Sequence, residues 1–367
     1  MSGTPARVPF NALVPGADAG AVAAAITRVV ASGWYILGPE VEAFEAEFAA
    51  ACGAPHAVGV GTGTDAITLI LRALDIGPGD EVITPPLSAA YSALAVMMAG
   101  ARPVFADIDD ERLTIDPRAV EAAITPRTAA ILPVHLYGQA ADMPAIVTIA
   151  ARHGLAVVED CCQAHLATCA GLAVGTFGVA AAYSFYPTKN LGALGDGGAV
   201  ATGDASLASR LRRLRNGGQR TRYHHDEFGV NSRLDELQAA ILRARLAFLP
   251  EWTRKRRALA AAYRAALRGA PVRVPAEIDP GHVYHLFVVR SQERARLQDV
   301  LRSRGVETLI HYPVPIPRQP AVATEEPAEC PVADRACNEL VSLPLYPSLP
   351  PAAVVEVAAA VLAAGGS

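Results

Sequence analysis

The chain has 367 residues, 51% hydrophobic and 6% aromatic, with 32 Lys+Arg against 36 Asp+Glu for a net charge of −4. That length exceeds one comfortable hydrophobic core, so two domains are expected. The mildly acidic balance argues against nucleic acid or an anionic membrane as partner. There is no run of about 18 unbroken apolar residues and no basic-apolar-cleavage leader pattern, which predicts a soluble, cytoplasmic protein.

In chain order, residues 18–32 read as a helix closed by Gly33. Pro39 opens a second helix that places Val41, Phe44 and Phe48 on one face. From His56 the pattern alternates: a strand at 57–60, the break Gly61-Thr62-Gly63-Thr64-Asp65, and a helix at 66–74. It repeats with a strand at 81–84, a helix at 88–99, strands at 103–106 and 129–134, a helix near 143–152 and a strand at 155–159. An apolar run at 179–185 reads as a buried strand stopped by Pro187, followed by Gly198-Ala199-Val200 and a helix at 205–215. Strands alternating with helices imply an α/β fold with a mainly parallel sheet covered on both faces, whose ligands gather at the carboxyl ends of the strands.

Residues 216–232 are polar and irregular. A long helix at 234–247 is expected to end at Pro250, followed by a helix near 258–267, a strand at 283–289, a helix at 295–304 and a last helix at 351–363. This divides the chain into a large domain, 1–250, and a smaller C-terminal α+β domain, 251–367.

The strand ends carry the chemistry. Of the 32 Lys+Arg residues only Lys189 and Lys255 are lysines. A chain that writes its positive charge as arginine keeps lysine where guanidinium cannot substitute, and Schiff-base formation is one such place. Lys189 reads either that way or as a solvated loop lysine; Lys255, within Thr253-Arg254-Lys255-Arg256-Arg257, reads as one charge on an exposed helix. Thr62-Gly63-Thr64 is either an ordinary turn or a phosphate site at a helix N-terminus. Asp160 is either a helix cap or a partner for a protonated pyridine nitrogen. Ser184 and Lys189 follow five residues apart. Six cysteines are too sparse for a disulfide framework. Cys161, Cys162, His165 and Cys169 lie close in sequence, but adjacent cysteines fit zinc spacing poorly, so no metal is expected.

Several motifs now stand together: Gly33-Trp34-Tyr35-Ile36-Leu37-Gly38-Pro39-Glu40, Glu159-Asp160 with Gln163-Ala164-His165, Ser184-Phe185-Tyr186-Pro187-Thr188-Lys189-Asn190, and Asn231-Ser232-Arg233-Leu234-Asp235-Glu236-Leu237-Gln238. From about residue 10 to the C-terminus the chain resembles the DegT family of pyridoxal-phosphate sugar aminotransferases, which have the fold type I architecture. The resemblance implies that Lys189 carries the cofactor, Asp160 pairs with its ring nitrogen and Gln163 contacts its ring hydroxyl. Ser184, Thr62, Gly63 and Thr64 would hold its phosphate, and Asn231 would reach the phosphate of a neighbouring subunit in a homodimer. Tyr35, Tyr223-His224-His225 and His311-Tyr312 would line the site for a nucleotide sugar, with Arg220 and Arg222 near its diphosphate. Where relatives stack an aromatic residue on the cofactor this chain has Ala89, with Tyr91 two residues on.

The implied activity is amino transfer from an amino acid, expected to be glutamate, to a dTDP-linked 3-keto-6-deoxyhexose. Alternatives are a 4-keto-sugar or cyclitol aminotransferase of the same family, or a non-catalytic regulator that binds the cofactor. Family members that act as dehydratases have histidine in place of the lysine, and Lys189 argues against that activity. A dehydrogenase is excluded by the missing G-x-G-x-x-G after the first strand.

Overall fold

The computed structural model describes residues 7–322 and 328–365. Helices α1 (Ala19–Ser32) and α2 (Pro39–Cys52) precede β1 (His56–Val60), α3 (Gly63–Ala73), β2 (Glu81–Thr84), α4 (Tyr91–Met98) and β3 (Arg102–Phe105). Then come α5 (Pro117–Ala123), β4 (Thr128–Ile131), α6 (Met143–His153) and β5 (Ala156–Asp160). A ribbon of β6 (Thr168–Cys169) and β7 (Leu172–Ala173) leads to β8 (Ala180–Ser184), β9 (Gly198–Thr202) and α7 (Ala205–Leu214). A second ribbon, β10 (Gln219–Thr221) with β11 (His224–His225), is followed by α8 (Glu236–Leu246) and α9 (Leu249–Ala266). The chain closes with β12 (Phe287–Arg290), α10 (Arg294–Ser303), α11 (Pro331–Glu339), β13 (Leu340–Leu343) and α12 (Pro351–Ala363).

Seven strands form one sheet in the order β1-β9-β8-β5-β4-β2-β3. Only β9 opposes its neighbours; the other pairings are parallel. The period of two along each strand sorts side chains onto two faces. On β8, Ala181 and Tyr183 join a core with Phe44 and Phe48 of α2 and Ile146 of α6, while Ala180 and Ala182 join another with Leu69 of α3 and Leu211 of α7. A third core, around β12 and β13, draws on α9, α10 and α12 and on Val8 from the opposite end of the chain.

Three local readings differ from the sequence expectation. Pro250 occupies the first turn of α9 instead of ending α8, a position where its missing N–H costs nothing. Only Phe287–Arg290 forms a strand in the 283–289 region, because the Val283 and Leu286 amides donate to Gly138 and Tyr137 carbonyls. Helix α4 starts at Tyr91 and not at 88, since Pro85 to Ala89 run past the sheet edge as a mostly buried connection.

One long-range cap explains part of the Asn231–Gln238 motif. The buried Glu236 carboxylate accepts from the amides of Gly38 (2.9 Å), Glu40 (2.9 Å) and Val41 (2.8 Å), the donors that open α2. Pro39 has no N–H, so one side chain from α8 satisfies this helix start and favours its dipole. Glu236→Ala is expected to cost about 3 kcal/mol or more, because the buried amides are left without acceptors. Chemical denaturation measures it, and a loss below about 1 kcal/mol would refute the role of this cap.

Candidate active site

The parallel topology brings the strand-end residues to one edge. Asp160 ends β5 and pairs in register with Ala182, so Ser184 stands two residues further along the neighbouring strand. The carboxylate of Asp160 is buried; Oδ1 accepts from the Cys162 amide (3.0 Å) and Oδ2 from Ser92 Oγ (2.9 Å). Across the edge, α3 begins at Gly63, where Thr62 Oγ1 accepts from the Asp65 amide (3.0 Å). The first helical N–H groups, those of Gly63 and Thr64, have no acceptor within the helix. A Cβ at Gly63 would lie 2.7 Å from Cys162 Sγ and 2.8 Å from Ser184 Cβ, so glycine is needed for the helix start to approach β8.

Gln163 is buried three residues past Asp160. Its Oε1 accepts from the Tyr137 amide (2.8 Å), and its Nε2 donates to the Tyr312 hydroxyl (3.0 Å). The Tyr137 hydroxyl in turn donates to the His311 carbonyl, and His311 Nδ1 lies 2.9 Å from Ser342 Oγ. The structure therefore joins Asp160, Gln163 and the His311–Tyr312 pair into one wall.

Lys189 lies in the turn after β8, half-buried, with its amide donating to the Tyr186 carbonyl (2.8 Å). Burial lowers its pKa below the usual lysine value, opposed by the nearby Cys162 and Asp160 side chains. Around it burial, and then the Lys189 charge, push His165 down to about 3 and His311 down to about 4. His285 is pushed down for the same reasons, and Arg256 adds to the effect. Asn190 ties this region to the C-terminal half: its Nδ2 donates to the Val283 carbonyl (3.1 Å), and its Oδ1 lies 3.2 Å from His285 Nδ1.

The buried imidazoles make stability fall in mild acid. His165 and His282 are held uncharged, with pKa values pushed down to about 3 against an ordinary 6.5. An unfolded chain binds protons at these sites below pH 6.5, while the folded chain refuses them until about 3. Stability is thus fully present above 6.5 and lost as pH falls, by about 1.4 kcal/mol per pH unit for each histidine. The expected result is a Tm that drops between pH 7 and 5, with a shallower slope in His165→Leu. A Tm independent of pH over that range contradicts it.

Other expected site residues lie elsewhere within the single chain. Tyr223, 76% exposed and at φ 67°, sits with His224 and His225 on the β10–β11 ribbon. That ribbon is held by its own base, through His225 Nδ1 and the Gly217 carbonyl (2.7 Å). Beside it, Glu227 pairs with Arg210 and Arg213 of α7. Arg220 pairs with Asp226, and the Arg222 guanidinium stands 5.0 Å from the Tyr223 ring centroid. Asn231 is exposed, and Tyr35 is 48% exposed with its carbonyl accepting from the Glu236 amide. Ala89 is half-buried, and Tyr91 is 64% exposed.

Sequence reasoning missed Ser92 and Tyr137, whose roles depend on partners distant in sequence. It also missed the Cys162 backbone, although the Asp160 Oδ1 contact two residues away is the local turn that Asx residues favour. The cysteine segment is divided by the fold. Among the described residues, the group able to offer three ligand atoms within 4.8 Å is His135, Glu159 and Cys161. Glu159 there is fully engaged: it accepts from the Gly175, Phe177 and Gly178 amides and lies 3.1 Å from His135. Among the described residues no helix is long and apolar enough to cross a membrane.

The DegT/DnrJ/EryC1/StrS aminotransferase family matches residues 18–362. The chain is 54% identical over 330 residues to a dTDP-3-amino-3,4,6-trideoxy-alpha-D-glucose transaminase of Streptomyces venezuelae, covering 89% of this chain and 87% of that protein. Among solved structures, S. venezuelae DesV in complex with a ketimine intermediate superposes with a TM-score of 0.96 at 50% identity, covering 99% of this chain and 100% of the other. NtdA from Bacillus subtilis with bound cofactor PMP gives 0.90 at 33% identity, covering 98% and 86% respectively.

Proposed function

The chain belongs to the DegT/DnrJ/EryC1/StrS aminotransferase family and is a nucleotide-sugar aminotransferase of fold type I; from that premise we propose that it moves nitrogen from glutamate to the 3-keto group of a dTDP-linked 6-deoxyhexose. The observation that carries the reading is Lys189, one of only two lysines, standing among Asp160, Ser184 and Gly63 at the carboxyl edge of the sheet. The choice of carbon 3 and of a dTDP carrier rests on the similarity to the S. venezuelae dTDP-3-amino-sugar transaminase.

The residues fit pyridoxal phosphate. The Gly63 cradle, which a side chain would fill, opens a helix N-terminus beside Ser184, as a phosphate requires. Asp160 is acidic, buried and only partly used by its two hydrogen bonds, as a partner for a protonated ring nitrogen requires. When bound, the cofactor supplies the electron sink that lets the bonds at an amino-bearing carbon be broken and remade.

The chain's own residues then divide the work. Gly63 and Thr64 amides with Ser184 Oγ and Thr62 would bind the phosphate, Asp160 would hold a proton at the ring nitrogen, and Gln163 would orient the ring hydroxyl. Lys189 Nζ would hold the aldehyde, and an amine whose pKa burial lowers is suited to take and return a proton at the reacting carbon. Tyr35, Tyr223, His224, His225, His311 and Tyr312 contact the sugar nucleotide. Asn231 and the exposed β10–β11 ribbon serve the site of a second copy, so the working unit is a homodimer. Ala89 leaves the ring face to Tyr91 or another aromatic side chain. Residues 1–250 act as the cofactor domain and 251–367 as the small domain.

The test is mass spectrometry of products from a panel of keto-sugar nucleotides with glutamate. Amination of a dTDP-3-keto sugar is expected; turnover only of 4-keto sugars or cyclitols moves the assignment to those substrates, and no turnover of any overturns it.

A further inference from the structure

Thr62-Gly63-Thr64-Asp65 has the residue types and spacing of a capping box at the start of α3. Thr62 makes its half of that arrangement by accepting from the Asp65 amide (3.0 Å). In the other half the acidic side chain turns back onto the amides at the helix start. Those amides are the ones a phosphate needs, and a carboxylate among them would take the same donors and repel the second anion.

In this structure the Asp65 carboxylate is claimed from outside the helix. Its Oδ2 accepts from Ser232 Oγ (2.7 Å), and the same hydroxyl oxygen accepts from the Gly61 amide (2.9 Å). Ser232 is buried, lies 167 residues away in sequence, and has its backbone fixed by its amide on the Arg215 carbonyl (2.9 Å). Two residues earlier the Val230 amide is fixed in the same way on the Leu214 carbonyl (2.8 Å). The contact needs a bare backbone at residue 61, where a Cβ would lie 3.1 Å from both Asp65 Oδ2 and Ser232 Oγ. The hydroxyl thus gives its proton to the carboxylate and a lone pair to the end of β1, drawing Asp65 to the Gly61 side of the helix start.

We propose that Ser232 is a positioning residue for the cofactor phosphate: its hydroxyl holds the Asp65 carboxylate at Gly61, out of the cradle formed by Gly63, Thr64 and Ser184. The assignment rests on the cofactor reading above and adds to it a residue that touches neither cofactor nor substrate. It also accounts for Asp65, since an acid in the first turn favours the helix dipole while the tether keeps its charge from the ligand. Position 232 has two routes to the site, through Asp65 and through the neighbouring Asn231, and removing the Asp65 charge separates them.

Fluorescence titration of the full-length protein measures Kd for pyridoxamine phosphate and for pyridoxamine, which lacks the phosphate. Ser232→Ala is expected to raise the Kd for pyridoxamine phosphate about tenfold and to leave that for pyridoxamine unchanged. Adding Asp65→Asn to Ser232→Ala is expected to return the first Kd to within about threefold of the parent, because the freed side chain then carries no charge. An unchanged Kd in Ser232→Ala overturns the assignment, as does an equal rise for both ligands. A loss that Asp65→Asn does not relieve transfers the effect to Asn231 or to the fold, and overturns it too. Should Ser232→Ala fail to fold, Ser232→Cys, similar in shape and a weak donor, is read against the same outcomes. A parent protein that binds the two ligands equally, or binds neither, would instead sink the cofactor reading, and that control is read before any variant.

Discussion

Lys189→Arg is expected to give a folded protein whose amino transfer is reduced about 10⁴-fold or more, roughly 5 kcal/mol of barrier. Arginine keeps a positive charge in the half-buried turn after β8, so the packing of the Ser184–Asn190 segment is retained. What is lost is a primary amine whose pKa burial has lowered; guanidinium neither condenses with an aldehyde nor gives up its proton near neutral pH. Two readouts separate this from a structural effect. Borohydride reduction of the holoprotein is expected to fix cofactor to the parent chain and not to the variant, while thermal melts of the two agree within a few degrees. A variant with parental turnover removes Lys189 from the chemistry.

The second large effect is at Asp160. Asp160→Asn keeps a side-chain oxygen for the Cys162 amide but removes the charge that would hold a proton on the ring nitrogen. A fall of about 10²- to 10³-fold in kcat is expected, with a smaller change in KM for either substrate, because the charge matters most where electron density builds up on the ring. Ser92→Ala, which deletes only the 2.9 Å hydrogen bond to Oδ2, is expected to cost about tenfold. The pH dependence of the bound cofactor's absorbance checks the cause, since loss of the Asp160 charge should lower the ring nitrogen's pKa. If Asn at this position leaves kcat intact, Asp160 is a turn cap and nothing more.

How much of this was legible beforehand follows from the range over which each feature is specified. The strand-helix alternation, the parallel sheet and its carboxyl edge are written locally, in apolar runs of four or five residues punctuated by glycine and proline. A period of two then sorts each strand's side chains between two cores. That topology alone forces Gly63, Asp160, Ser184 and Lys189 toward one edge, and the scarcity of lysine marks Lys189 among them. The motif resemblance supplied the chemistry that spacing leaves open.

The remaining features depend on partners far apart in the chain. Ser92 reaches Asp160 over 68 residues, Tyr137 reaches His311 over 174, and Glu236 caps α2 across 198 to Gly38. No local pattern distinguishes the Glu236 that opens α8 from a solvated first-turn acid, because its acceptors are spent on another helix. Arg256 reads as one charge in a basic run on an exposed helix, and only the packing of α9 against the 284–285 and 345 carbonyls buries it without a carboxylate. Burial and partnership are properties of the folded surface closing over a residue. The sequence by itself determined the order of the strands' contents and the chemistry at their ends; tertiary structure decided which charges and hydrogen-bonding groups are matched and which are left for a ligand.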